Sequence, residues 1–109
     1  MHTSIMLTGN IKRIKINVEK FDVGNMKDIR NSIEKEISRK SNNIVIDFSE
    51  VNFIDSSGLS VIIGAFKKIK GMRGKLRLCG LKSQPLQLLK VTQLHKILNV
   101  VEKCDTIKK

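Results

Sequence analysis

Residues 43–67 read NIVIDFSEVNFIDSSGLSVIIGAFK. Ile44, Val45 and Ile46 are an unbroken β-branched run, the pattern of a strand covered on both faces. The run ends in Asp47-Phe48-Ser49, and a loop over about 49–55 follows. Leu59, Ile62, Ile63 and Phe66 then fall at i, i+3, i+4 and i+7. That spacing predicts an amphipathic helix over about 57–70, stopped at Gly71. A buried strand, a short loop and a helix in succession are half of a strand–helix–strand unit.

The flanks supply the rest. Upstream, Ile5-Met6-Leu7 is a weak strand candidate, followed by a Gly9-Asn10 turn. Ile14, Ile16 and Val18 alternate with Lys15 and Asn17, which predicts a half-buried strand. Asn25 reads as an N-cap, with Asp28 in the first turn. Met26, Ile29, Ile33 and Ile37 predict a first helix over about 25–40. Downstream, residues 75–79 alternate as a strand. Ser83 is placed to cap a third helix with Pro85 in its first turn. A short fourth helical piece over 93–98 and a last strand over 99–101 follow. The expected fold is a single α/β domain with a mixed four- to five-stranded sheet and about four helices. Residues 103–109 read as a frayed polar tail.

The 109 residues fit one domain. With no Trp or Tyr and four Phe, the chain lacks an aromatic platform for stacking bases. Its net charge of +11 points towards an anionic partner or a solvated Lys-rich surface. Lys67, Lys68, Lys70, Arg73, Lys75 and Arg77 form a basic run at the far end of the second helix, roughly 20 Å from its start. A solvated face is the simpler reading of it. Cys79 and Cys104 share no CxxC or Cys/His spacing and are expected to be reduced, in a cytoplasmic protein. No secretory signal or membrane-spanning stretch is expected.

Ile54-Asp55-Ser56-Ser57-Gly58-Leu59 departs from ordinary core-and-surface writing. Two hydroxyls and a carboxylate stand where a helix begins, and a helix N-terminus favours an anion. Gly58 would let another group approach closely. The plainer alternative makes Ser57 the helix N-cap.

In this frame, residues 43–67 resemble the STAS domain of anti-sigma factor antagonists. Phe21-Asp22 looks like the Leu-Asp before that family's first helix. The stretches KLRLCGL and LLKVTQLHKIL are similar to its later strand and closing region. The resemblance implies a non-enzymatic bacterial regulator that binds an anti-sigma factor, itself a serine kinase, and so frees a sigma factor. It implies phosphorylation at Ser56, with Ser57 as fallback, and reversal by a serine phosphatase. Asp22, Asp55, Ser56, Ser57, Gly58 and Leu59 are the implied partner-binding residues. No cofactor is expected, since ATP and magnesium would belong to the kinase. No metal, direct nucleic-acid binding or membrane insertion is expected, and a monomer suffices. The chain departs from the family at Lys20, where an acid is usual, and at Ser60, where Gly is usual.

Three other readings compete for the same residues. A helix-turn-helix over 83–98 would carry few cations, only Lys82, Lys90 and Lys96. A serine hydrolase would need a base, yet only His2 and His95 exist, without a G-x-S-x-G elbow. A STAS scaffold in a stress-sensing or membrane transport complex keeps the fold and drops the phosphorylation.

Overall fold

A computed structural model describes residues 2–106. β1 (Thr3–Thr8) and β2 (Ile11–Ile16) form an antiparallel hairpin. β3 (Lys20–Phe21) leads into α1 (Met26–Glu34), then β4 (Asn43–Asp47) and β5 (Phe53–Ile54). α2 (Ser56–Gly71), β6 (Lys75–Cys79), α3 (Ser83–Val91) and β7 (Asn99–Val101) complete the regular elements. The main sheet has the order β1-β2-β4-β6-β7, parallel except for the hairpin. A separate two-stranded sheet pairs β3 with β5.

β4 carries the two-sided burial its sequence predicts. Ile44 and Ile46 enter the main core with Ile29 and Ile33 of α1 and Ile62, Ala65 and Ile69 of α2. Val45 points the other way, into a small cluster with Ile11 and Cys79. No α-helix contributes to that second cluster, so the two faces of the sheet are unequal.

The helices depart from expectation in two places. The first helix ends near residue 34 rather than 40. Its end tightens through i→i+3 bonds from Glu36 to Ile33 and from Ile37 to Glu34. Lys12 Nζ then holds both the carbonyl and the carboxylate of Glu36, each at 3.0 Å. The fourth helix shrinks to a 3-10 turn, Leu94–Lys96, after Gln93 adopts a left-handed φ of 61°. There are thus three α-helices among the described residues. Within the expected tail, Cys104–Thr106 form a 3-10 turn, and residues 107–109 lie outside the described residues.

The cysteines are not free. Cys79 and Cys104 form a disulfide, with Cα atoms 5.0 Å apart. β7 lies beside β6 with Val101 opposite Cys79, so the chain leaving β7 passes over the end of β6. A separation of 25 residues hides that proximity from any local motif. Among the described residues, no helix is long and apolar enough to cross a membrane.

Candidate functional site

The site is built where the small sheet meets the start of α2. Glu19 O accepts from Asn52 N at 2.8 Å and from Phe53 N at 3.1 Å, and Phe21 O accepts from Asp55 N at 3.2 Å. These bonds dock the segment before α1 against the loop before α2. On the other side, Gln84 of α3 mimics a strand. Its Oε1 accepts from Ile54 N at 2.9 Å and its Nε2 donates to Ile54 O at 3.0 Å. Residue 54 is therefore held from both flanks, which fixes the next residue, Asp55.

Asp55, not Ser57, caps α2. Its Oδ1 accepts from Ser57 N at 2.8 Å and Gly58 N at 3.0 Å, while Oδ2 accepts from Val23 N at 3.2 Å. Its extended backbone leaves the helix to begin at Ser56. The cap corrects two expectations. Ser57 lies inside the first turn instead of before it. The helix N-terminus is also already filled by the chain's own carboxylate, so it does not stand open for an external anion. Asp55→Ala is expected to lower unfolding stability by about 1–2 kcal/mol. Chemical denaturation measures the loss, and amide exchange at Ser57 and Gly58 should accelerate with it.

Ser56 is exposed, and among the described residues no hydrogen bond engages its hydroxyl. Ser57 is half-buried, and its carbonyl accepts from Ser60 Oγ at 2.7 Å. Asp22 is half-buried, its Oδ1 accepting from Gly24 N at 2.9 Å in a tight turn. Asn25 does not cap α1 with its side chain. It accepts from Asp22 N at 3.1 Å and donates to Lys20 O at 2.7 Å, so it braces this turn.

Gly58 and Leu59 face inward. A Cβ on Gly58 would stand 2.6 Å from the Phe21 carbonyl oxygen and 3.0 Å from Ile54 Cγ2. The group that the glycine admits is therefore the chain's own β3. Leu59 is 8% exposed and belongs to the core. Neither offers a surface to a partner. Two apolar residues that the sequence did not single out are exposed nearby in the chain: Val23, 71% exposed, and Phe53, 41% exposed. Their signal was only an apolar residue in a loop, which single sequences do not distinguish from core.

His95 Nδ1 lies 3.4 Å from Leu89 O, beyond the end of α3. The basic run divides among elements. Lys68 Nζ donates to Glu34 O at 3.4 Å, Lys70 lies over the Phe66 ring, and Arg77 donates to Asn43 on β4. Among the described residues, the one His/Cys/Asp/Glu group close enough to share a metal ion is Asp47, Cys79 and Cys104, away from Ser56 on the other side of β4.

Residues 7–107 match one family, the STAS domain. The chain belongs to that family. It is 38% identical over 55 residues to an anti-sigma-B factor antagonist of Listeria monocytogenes, covering 50% of this chain and 48% of that protein. The chain's match thus spans about half the length of that relative. It is 26% identical over 106 residues to the anti-sigma-B factor antagonist of Bacillus subtilis, covering 96% of each. It is also 32% identical over 75 residues to YvdB of Bacillus subtilis, a protein named as a sulfate transporter, covering 68% of this chain and 14% of that one. Among solved structures, an anti-sigma factor antagonist from Mycobacterium paratuberculosis superposes with a TM-score of 0.85 at 17% identity, covering 95% of this chain and 87% of that one. The phosphorylated form of the Bacillus protein SpoIIAA superposes with a TM-score of 0.72 at 18% identity, covering 95% of each. These two likenesses concern the fold.

Proposed function

We propose that this chain is an anti-sigma factor antagonist switched by phosphorylation of Ser56. The observation that carries the reading is an exposed, unengaged hydroxyl at the first position of α2, locked in place by the Asp55 cap. Val23 N bonds to the neighbouring Asp55, and Val23 and Phe53 are exposed apolar residues of the flanking turn and strand, so the proposed docking surface is partly apolar. The partner is an anti-sigma factor that is also a serine kinase, and a serine phosphatase reverses its action.

The kinase supplies ATP, magnesium and the base that takes the serine proton. Ser56 Oγ attacks the γ-phosphorus, and ADP leaves. This chain contributes only position. The phosphoserine adds a charge of about −1.5 to −2. The Asp55 carboxylate already occupies the N–H groups of Ser57 and Gly58, so α2 supplies little to neutralise it. The dianion must then be desolvated or repelled when the partner docks.

The test is intact mass after incubation with the kinase that copurifies with the chain, or is encoded beside its gene, and MgATP. One phosphoryl group is expected on the wild type and none on Ser56→Ala. A phosphoryl group that persists in Ser56→Ala moves the acceptor to Ser57 or elsewhere. None on either protein, with a kinase shown to be active, rejects the switch.

The likeness to YvdB favours a second reading, a STAS subunit of a membrane transport complex. Copurification with a membrane protein, and with no kinase, would select it.

A further inference from the structure

The disulfide lies outside the candidate site and has no part in the switch proposed there. Cys79 ends β6 fully buried, in the small cluster with Val45 and Ile11 on the helix-free face. Cys104 is half-buried, in the 3-10 turn that lies over that cluster. Gly80 makes the approach possible. Its φ is +70°, and a Cβ there would stand 3.2 Å from both Cys104 Sγ and Ser49. Beside the disulfide, Arg13 Nη1 donates to Cys104 O at 3.4 Å, and Val101 and Cys104 pack on the cluster.

The geometry points to Cys79 and Cys104 as a reversible thiol–disulfide site that fastens the C-terminal turn over the helix-free face of the sheet. The oxidant is a low-molecular-weight disulfide of the glutathione class. The more exposed Cys104 thiolate attacks one of its sulfurs, its S–S bond breaks, and one small thiol leaves carrying a proton. The buried Cys79 thiolate then attacks Cys104 Sγ and expels the second small thiol. Two protein thiols are oxidised and one small disulfide is reduced to two thiols. Excess small thiol runs the sequence backwards, entering at Cys104 because Cys79 is covered. Reduction removes the covalent link between the C-terminal turn and the end of β6.

The test uses the full chain in reduced and oxidised glutathione buffers, with thiols counted by alkylation and mass. Both thiols are expected to disappear together, within one chain, and to return on reduction. Amide exchange over residues 99–105 should then be at least about tenfold faster in the reduced protein, while exchange in α2 stays unchanged. Cys104→Ser, which leaves the buried Cys79 in place, should exchange at the fast rate in both buffers. Thiols that persist in excess oxidised glutathione, or that pair between chains, would overturn the proposal, as would exchange indifferent to redox state. Thiols protected by added zinc and released by a chelator would also overturn it, assigning Asp47, Cys79 and Cys104 to a metal instead.

Discussion

Ser56→Glu is expected to weaken binding to the anti-sigma factor about a hundredfold, while Ser56→Ala retains the affinity of the wild type. A hundredfold corresponds to about 2.7 kcal/mol. That is within reach of an uncompensated carboxylate desolvated beside a second one, since Asp55 already holds the first N–H groups of α2. The same substitution should barely alter folding. Position 56 is exposed, so the carboxylate stays hydrated in the unbound chain. Calorimetric titration of each variant, with its denaturation curve beside it, separates the two effects. Equal affinities for Ser56→Glu and wild type would remove Ser56 from the interface.

The second large effect is on the fold that positions the site. Gly58→Ala is expected to destabilise the chain by about 3 kcal/mol. The obstacle is a backbone carbonyl, that of Phe21, 2.6 Å from where the Cβ would stand. A side chain could turn aside, but β3 cannot move without breaking its pairing to β5 and the bond from Asp55 N. Gly64, in the same helix, is the control. Nothing lies within 4 Å of its Cβ position, so Gly64→Ala should gain up to about 1 kcal/mol. Urea midpoints of the two variants should move in opposite directions.

The contrast between these glycines shows what the sequence could and could not reveal. Both stand in an apolar helix, and periodicity assigns the helix but not which glycine meets a carbonyl. The large elements were legible because their patterns are long. The β-branched run of β4 and the apolar stripe of α2 each repeat enough to determine period and burial. β3 and β5 are two residues each, too short for any period, so the loop over 49–55 hid a strand. The site followed the same rule. The exposed serine that we propose as acceptor stands out in Asp55-Ser56-Ser57-Gly58. The choice of cap depended on whether the helix starts at 56 or 57, a shift smaller than periodicity resolves. Gln84 escaped because its partner, Ile54, is 30 residues away, and the cysteine pair escaped for the same reason.

The most direct measurement is the affinity of one anti-sigma factor for two forms of this chain, unmodified and singly phosphorylated by that kinase. The account predicts tight binding of the unmodified chain and a loss of at least about a hundredfold on phosphorylation at Ser56, a penalty near 3 kcal/mol. Equal affinities of the two forms would contradict it.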